Sequence, residues 1–284
     1  MRIALTGADG QLGQAIVETF ARQHAVIPLT HDALELAHSS SVAVVVNTSA
    51  DLVIHAAAYT NVDGCAREPE VAYRTNAMGT HYVALACQRL DVPMVYISTN
   101  EVFPGDQRRP YFEYDPPRPI NAYGQSKLSG EQSVKDLLNR FYIVRVAWLF
   151  GGQRNFVRTV LRLAETVAPH GLTMVADEIG SPTYNYDAAA ALLQLVGQPF
   201  YGIYHFVNAG HASRYDFARA VLRLGGYDHV QVHPITLSDY QRDSTPPPYS
   251  VLANTAGTAM GITLRPWQEA LAAFMERAGL AKQA

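Results

Sequence analysis

The sequence feature that most constrains the fold is a glycine-rich turn near the start of the chain. Residues 2–6 are apolar and favour a strand, the turn Gly7-Ala-Asp-Gly10-Gln-Leu-Gly13 follows, and residues 14–20 have helical periodicity. In such a unit Gly7 allows the tight turn, Gly10 lets the backbone approach a pyrophosphate, and Gly13 lets the helix pack on the strand. Free N–H groups at the helix N-terminus attract phosphate. The spacing is GxxGxxG rather than GxGxxG, and a plain glycine turn is the alternative, but the setting between strand and helix favours a dinucleotide site.

Composition bounds the class of protein. The chain has 284 residues, 48% of them hydrophobic and 17% charged, so it can bury the core of one large or two small domains. The net charge of -3 and the lack of a long basic run argue against nucleic acid as a partner. No apolar stretch approaches the roughly 20 residues of a membrane span. The histidines lack metal-ligand spacing, so no metal site is expected.

Cysteine usage points to a compartment. Cys65 and Cys87 do not make a disulfide framework, and two thiols suit a reducing cytoplasm. The N-terminal apolar run is too short for a signal peptide, and glycines follow it at once. We therefore expect a cytoplasmic protein that does not bind nucleic acid or membranes.

Apolar β-compatible segments alternate with helical patterns over the first half of the chain. The predicted strands after the first are residues 25–29, 51–58, 92–99 and 141–150. The predicted helices are residues 69–90 and a segment that Asn121 caps, after a loop over residues 103–120. Continuous apolar strands separated by helices predict an α/β fold, a Rossmann-type doubly wound parallel sheet.

The alternation weakens after residue 150. The predicted elements there are helices at 155–167, 186–196, 213–224 and 267–278, and strands at 172–175 and 202–208. Ser213 is expected to cap the third of these helices. We predict an NAD(P)-binding Rossmann domain over residues 1–150 and a smaller, irregular, mainly substrate-binding domain over residues 151–284. Later segments of the chain are expected to return to the first domain.

Tyr123 and Lys127 form the second informative motif. They lie four residues apart, on one face of the helix that Asn121 caps. An ammonium neighbour favours the phenolate, so a tyrosine tuned in this way can exchange a proton with a carbonyl or alcohol oxygen near neutral pH. Alone the pair is a common coincidence. Beside it, the strand ending in Ser98 and Thr99 offers a hydroxyl for a substrate oxygen, although serine and threonine also simply end strands.

Three further residues keep more than one interpretation. Asp32, after the second strand, could accept a hydrogen bond from an NAD ribose or cap a turn. His31 could lie near a phosphate, so the residues do not decide between NADH and NADPH. Trp148 could belong to the core or stack on a ligand ring.

These motifs together resemble the extended short-chain dehydrogenase/reductase superfamily and, within it, the dTDP-4-dehydrorhamnose reductase family. The resemblance covers nearly the whole chain. The glycine-rich turn and the Tyr123-Lys127 pair are typical of the superfamily. The segments that point to the rhamnose branch are Ala56-Ala-Ala-Tyr-Thr60, Ile179-Gly-Ser-Pro-Thr183 and Trp148.

The resemblance implies an oxidoreductase that uses NADPH or NADH to reduce the 4-keto group of a dTDP-linked 4-keto-6-deoxy sugar. Tyr123 would protonate the forming alkoxide, Lys127 would hold the nicotinamide ribose and lower the pKa of Tyr123, and Thr99 would hydrogen-bond the carbonyl oxygen. The expected cofactor-binding residues are Gly7, Gly10, Gln11, Leu12, Gly13, Ala58, Tyr59, Thr60, Tyr123 and Lys127. The expected substrate-binding residues are Thr99, Asn100 and Trp148. A homodimer and a role in polysaccharide biosynthesis are further expectations.

One departure from the family pattern leaves the exact ketosugar open. Asn100-Glu101 follows Thr99 where the family usually has Asp-Tyr. An amide lacks the charge of a carboxylate. Glu101 could restore that charge only if the chain bends locally, because adjacent residues of an extended strand point to opposite faces. A sugar-nucleotide epimerase or dehydratase, and a non-catalytic regulatory subunit of the methionine adenosyltransferase type, are the competing hypotheses.

Overall fold

The computed structural model describes residues 1–167 and 171–282, and its central feature is a sheet of six parallel strands. The strands are β1 (Arg2–Thr6), β2 (Ala25–Leu29), β3 (Leu52–His55), β4 (Met94–Thr99), β5 (Phe141–Val146) and β10 (Gly202–His205). Their spatial order is β10-β5-β4-β3-β1-β2. The chain runs from β1 to β2 on one side and then to β3 on the other, so the carboxyl end of β1 is the topological switch point.

Helices cover both faces of this sheet, as the alternating pattern predicts. On one face α1 (Gln11–Phe20) and α8 (Asn185–Leu195) pack over side chains that include Ile3 and Leu5. On the other face α2 (Ser41–Val46), α5 (Gly79–Leu90) and α6 (Ala122–Leu137) pack over side chains that include Ala4. Successive residues of a strand point to opposite faces, which explains how β1 serves both cores. The prediction of a doubly wound parallel sheet is confirmed.

The segment after β3 differs in detail from the prediction of one helix over residues 69–90. It contains α3 (Val62–Arg67), α4 (Pro69–Ala72) and a π-helix (Tyr73–Met78) that leads directly into α5. Asn76 lies in the π-helix, where its buried amide accepts from Tyr59 N (2.7 Å) and donates to Tyr59 O (3.0 Å). The Asn76 side chain thus satisfies the backbone N–H and C=O of Tyr59, which lies after the end of β3.

The second half of the chain builds another core beside the sheet. The remaining strands and α-helices of this half are β6 (Leu149–Phe150), α7 (Phe156–Val167), β7 (Leu172–Val175), β8 (Ile179–Gly180), β9 (Thr183–Tyr184), β11 (Ala212–Ser213), α9 (Arg214–Leu224), β12 (Val232–Ile235), α10 (Thr255–Ala259) and α11 (Trp267–Arg277). The short strands pair as β6 with β9, β7 with β12 and β8 with β11. Aromatic side chains dominate this core, among them Phe150, Phe217 and Phe274.

Two strand boundaries predicted for this region are wrong. The predicted strand over residues 141–150 is broken at Trp148, whose positive φ of 43° turns the chain from β5 into β6. The predicted strand over residues 202–208 ends at His205. Because β10 and α8 belong to the first core, segments from the second half do return to the sheet. The domain boundary at residue 150 stays a prediction.

A buried ion pair joins α6 to the sheet. Arg145 of β5 donates from Nε and Nη2 to the two carboxylate oxygens of Glu131 on α6, at 2.9 and 2.7 Å. Ser98 Oγ of β4 donates to the same carboxylate at 2.6 Å. The two charged side chains are 1% and 0% exposed. A bidentate pair with an extra hydroxyl donor satisfies the buried charges and fixes the helix in one position against β4 and β5.

Replacing Arg145 with methionine should destabilise the protein strongly. We expect Arg145→Met to lower the free energy of unfolding by about 3–5 kcal/mol, because the Glu131 carboxylate would stay buried without its cation. Urea unfolding measures this quantity. The double variant Arg145→Met/Glu131→Met should regain much of the loss, and Arg140→Met, in an exposed pair with Asp91, should cost at most about 1 kcal/mol. An Arg145→Met protein as stable as the Arg140→Met control would contradict the assignment.

Candidate active site

A cavity of ≈ 860 Å³ lies at the carboxyl ends of the parallel strands, where open α/β sheets bind their ligands. Its size is within the range of cofactor and small-molecule sites. All the site residues that the resemblance implies line this one cavity. They are Gly7, Gly10, Gln11, Leu12, Gly13, Ala58, Tyr59, Thr60, Thr99, Asn100, Tyr123, Lys127 and Trp148. Their common location is a property of the fold, whereas their individual roles stay predictions.

The glycine-rich turn forms one end of the cavity. Gly7 has a φ of +68°, and a Cβ there would lie 2.7 Å from Ala57 Cα. A Cβ on Gly13 would overlap the carbonyl oxygen of Gly7, so the glycine lets α1 approach the turn. Gly10 is the N-cap of α1 and no side chain caps the helix. The exposed helix N-terminus is therefore a site for an anion such as the pyrophosphate of a dinucleotide.

The wall beyond β2 contains Thr30 and His31, and Asp32 does not belong to it. The interpretation of Asp32 as a ribose acceptor therefore finds no support in the lining of the cavity. Arg74, on the π-helix, also lines the cavity and was missed from the sequence. It lies 43 positions after His31 along the chain, and nothing local to either residue indicates that the fold places both on one cavity.

The first turns of α6 carry Tyr123 and Lys127 into the cavity. Asn121 caps the helix as predicted, with its side-chain oxygen 2.8 Å from Gly124 N. Lys127 is buried, and its Nζ donates to Ile97 O of β4 at 2.8 Å. The same Nζ lies 4.2 Å from the centroid of the Tyr96 ring. Strand β4 and helix α6 together thus fix the position of the amine.

The electrostatics of Tyr123 differ from the expectation. Burial raises the pKa of Tyr123 well above its ordinary value, the Glu101 carboxylate raises it further, and the Thr99 hydroxyl acts in the opposite direction. Burial outweighs the lowering influences on the pKa of Tyr123 in this structure, and the expected lowering by Lys127 stays a prediction. Burial also lowers the pKa of Lys127 to about 7, against the influence of Glu131, which weakens its charge near neutral pH. Tyr123 therefore keeps its proton at neutral pH, the state that a proton donor needs.

The chain bends sharply where β4 ends. Thr99 is followed by a 3₁₀ helix over Asn100–Val102, and Thr99 Oγ1 accepts from Glu101 N at 3.2 Å. Asn100 is only 4% exposed, and its Nδ2 donates to Ser250 Oγ at 2.8 Å. Its Oδ1 receives a long hydrogen bond from Thr99 Oγ1 at 3.3 Å. Asn100 thus lines the cavity but directs its amide donor into the protein.

Trp148 and Arg214 form another part of the cavity wall. The guanidinium carbon of Arg214 lies 3.5 Å from the centroid of the Trp148 ring. Glu178 holds that guanidinium through Oε1, at 3.1 Å from Nε and 2.9 Å from Nη2. Sequence reasoning missed Arg214, and the available signal was its place directly after the helix cap Ser213. Stacking of this kind fixes the indole while leaving the wall aromatic and cationic.

Clusters of metal ligands and membrane-spanning helices are both absent from the part of the chain that the structure describes. Within residues 1–167 and 171–282, no group of three or more histidine, cysteine, aspartate or glutamate side chains is placed to hold a metal ion. No helix in the same residues combines the length and the apolar character that crossing a membrane requires. Both cysteines are buried and free.

Comparison with known proteins finds a consistent set of relatives. The family described as the RmlD substrate binding domain matches residues 1–279. The chain is 40% identical to a dTDP-4-dehydrorhamnose reductase of Mycolicibacterium smegmatis, over 95% of this chain and 84% of that one. It is 38% identical to the spore coat polysaccharide biosynthesis protein SpsK of Bacillus subtilis, over 97% of each chain. Among solved structures, a dTDP-4-dehydrorhamnose reductase from Bacillus anthracis in complex with NADP matches with a TM-score of 0.92 at 37% identity, over 97% of this chain and 99% of that one.

A side chain at Gly13 should abolish dinucleotide binding. In Gly13→Ala the new Cβ would overlap the carbonyl oxygen of Gly7, so α1 must move away from the turn. The N–H groups at the N-terminus of α1 would then no longer point at the pyrophosphate. We expect the dissociation constant for NADPH, measured by fluorescence quenching, to rise at least about 100-fold as the phosphate contacts are lost. Gly197→Ala is the matched control, because the nearest atom to its Cβ lies 3.9 Å away. Equal NADPH affinities for the two variants would contradict the assignment of the turn.

The lowered pKa of Lys127 can be observed directly. The chain has three lysines, Lys127, Lys135 and Lys282, so a sample with ¹³C-labelled lysine side chains gives three NMR resonances. We expect one of them to titrate with a midpoint of about 7 and to vanish in Lys127→Met. Unfolding returns this amine to an ordinary pKa of about 10.4, so between pH 7 and 10 the unfolded chain binds a proton that the folded protein does not. The free energy of unfolding therefore rises with pH across this range. Three resonances that all titrate near the ordinary value would show that burial does not act on Lys127 as described.

Proposed function

The chain belongs to the RmlD substrate binding domain family, and from this premise we propose that it reduces the 4-keto group of a dTDP-linked 4-keto-6-deoxy sugar. The proposed reaction converts dTDP-4-dehydro-L-rhamnose to dTDP-L-rhamnose with hydride from NADPH or NADH. The observation that carries the proposal is the meeting of Thr99, Tyr123 and Lys127 in one cavity with the uncapped N-terminus of α1. The N-terminus of α1 suits an anionic dinucleotide, and Tyr123 offers a proton donor.

The residues present fit a nicotinamide dinucleotide. The turn from Gly7 to Gly13 would hold the pyrophosphate, and Ala58, Tyr59 and Thr60 would line the cofactor site. Lys127 Nζ uses one hydrogen for Ile97 O and keeps further hydrogens for ribose hydroxyl groups. When bound, the dinucleotide supplies the hydride that C4 of the sugar receives.

The protein's own contribution is orientation and a proton. Tyr123 donates its phenolic proton to the C4 oxygen as negative charge develops there, so a ketone, a hydride and a proton become an alcohol. The raised pKa of Tyr123 keeps this proton in place until the reaction needs it. Thr99, at the end of β4, turns its one hydroxyl proton from Asn100 Oδ1 to the same oxygen when the sugar binds, and so holds the carbonyl toward the tyrosine. Trp148 supplies an aromatic wall for the sugar nucleotide.

Location, assembly and pathway complete the proposal. Two buried free thiols, Cys65 and Cys87, support a cytoplasmic location, where thiols stay reduced. The homodimer rests on the resemblance to the superfamily, and a light-scattering mass near 31.1 kDa would contradict it. Polysaccharide biosynthesis is the proposed pathway, because the relative SpsK is named for it.

The direct test is oxidation of NADPH and of NADH in the presence of dTDP-4-dehydro-L-rhamnose, with analysis of the sugar product. The proposal predicts stoichiometric dinucleotide oxidation and formation of dTDP-L-rhamnose. Retention of bound dinucleotide with no net oxidation would favour the sugar-nucleotide epimerase or dehydratase. Dinucleotide binding without turnover on any ketosugar, together with co-purification of a synthetase, would favour the regulatory subunit.

Removing one hydroxyl group should separate chemistry from binding. In Tyr123→Phe we expect kcat to fall about 10²- to 10⁴-fold, the usual contribution of a general acid. The dissociation constant for NADPH should stay within about threefold, because the aromatic ring remains. Tyr240→Phe, which changes an exposed tyrosine outside the cavity, is the matched control. A Tyr123→Phe enzyme that keeps the control's kcat would remove Tyr123 from the mechanism.

A further inference from the structure

The bend after β4 brings a carboxylate to the cavity. Thr99 is still extended, with φ -138° and ψ 156°, and the 3₁₀ helix begins at the next residue. In this helix successive side chains do not alternate across a sheet, since they rotate by about a third of a turn per residue. Asn100 therefore points into the protein toward Ser250, while Glu101 lines the cavity. The chain therefore has the local bend that Glu101 needs to present a carboxylate to the cavity in place of Asn100.

The Glu101 carboxylate is held at one oxygen. Its Oε2 accepts a hydrogen bond from Asn121 Nδ2 at 2.7 Å, and that amide also donates to Thr245 O at 3.0 Å. Asn121 is itself fixed as the cap of α6. Within residues 1–167 and 171–282, no protein group donates a hydrogen bond to Oε1 of Glu101, and this oxygen is not among the fully buried unpaired atoms. One oxygen of a positioned carboxylate is thus available to a ligand in the cavity.

The charges around Glu101 indicate which ligand group it can take. Burial raises the pKa of Glu101 and Glu178 raises it further, whereas the hydrogen bond from Asn121 and the charges of Arg242 and Arg214 act in the opposite direction. Arg214 is already bound to Glu178, and Arg242 to Asp63. A carboxylate without a close cation attracts neutral hydrogen-bond donors and repels anions. A sugar hydroxyl fits this requirement, whereas the diphosphate of a nucleotide sugar does not.

The reacting groups lie beside this carboxylate. Glu101 is two residues after Thr99, and its backbone carbonyl oxygen lies so close to Gly124, the residue after Tyr123, that a Cβ there would overlap it. All three residues, Thr99, Glu101 and Tyr123, line the cavity. A sugar whose C4 carbonyl meets Thr99 and Tyr123 carries its neighbouring hydroxyl groups within the same region. Resting on the proposed function, we propose that Glu101 is a specificity-determining residue that accepts a hydrogen bond from a hydroxyl group of the bound sugar. It performs this recognition in place of Asn100.

The test uses Glu101→Gln, which keeps an acceptor for Asn121 but loses the charge. We expect kcat/KM for dTDP-4-dehydro-L-rhamnose to fall about 10- to 100-fold, mainly through KM, as expected when a charged hydrogen bond becomes a neutral one. The KM for NADPH should not change. Glu70→Gln, which changes an exposed carboxylate on α4, is the matched control. Glu101→Ala should lose as much kcat/KM as Glu101→Gln if the loss of the carboxylate, and not the new amide, is responsible.

Substrate analogues separate recognition from a structural effect. Wild type and Glu101→Gln are compared on the ketosugar and on analogues that lack the 2- or the 3-hydroxyl group. The loss caused by Glu101→Gln should disappear on the analogue that lacks the recognised hydroxyl. An equal loss on every substrate would make Glu101 a structural residue, and no loss on the full substrate would overturn the proposal.

Product binding separates this inference from the proposed function. Calorimetry of dTDP-L-rhamnose with the NADP-loaded protein should show about 10- to 100-fold weaker binding in Glu101→Gln than in wild type. Equal affinities would overturn the role of Glu101 even in an active enzyme. A wild-type protein that neither turns over the ketosugar nor binds dTDP-L-rhamnose would overturn the proposed function, and the role of Glu101 with it.

Discussion

The structure of the candidate site depends on the buried ion pair between Glu131 and Arg145. Neither charge is hydrated, so the pair is tolerated only because the fork of Arg145 and the hydroxyl of Ser98 satisfy the carboxylate. This geometry allows α6 one position against β4 and β5. Lys127 adds a second tie from the same helix to β4 through Ile97 O. The helix that carries Tyr123 is therefore tied through Lys127 and Glu131 to β4 and β5, and β4 is the strand that ends in Thr99.

In this arrangement the phenol of Tyr123 is buried, and burial is the largest influence on its pKa, which it raises. An enzyme that removes a proton from an alcohol benefits from a tyrosine with a lowered pKa, whereas one that protonates an alkoxide needs a tyrosine that still holds its proton. Burial and the Glu101 carboxylate both favour the protonated phenol. The protonated phenol is the form that the proposed reduction needs from its proton donor. The charge of Glu101 thus acts on the pKa of Tyr123, in addition to the proposed contact of Glu101 with the sugar.

Local patterns predicted those parts of the fold that local interactions determine. The glycine-rich turn at Gly7 and the helix caps at Asn121 and Ser213 depend on a few neighbouring residues, and the structure contains all three. The break at Trp148 was not predictable, because its positive φ is a backbone conformation that no short-range pattern around a tryptophan signals. Arg214 was missed because its stacking on that indole joins segments 66 positions apart in the sequence.

Transfer of a label from cofactor to sugar is the measurement that tests the central claim most directly. The protein is incubated with NADPH that carries deuterium at C4 of the nicotinamide, on the face from which hydride leaves, and with dTDP-4-dehydro-L-rhamnose. The account predicts dTDP-L-rhamnose with one deuterium at C4 of the sugar, because the hydride comes from the dinucleotide and the second hydrogen from Tyr123. A sugar product without deuterium, or a label that stays on the dinucleotide while the sugar changes configuration, would contradict the account.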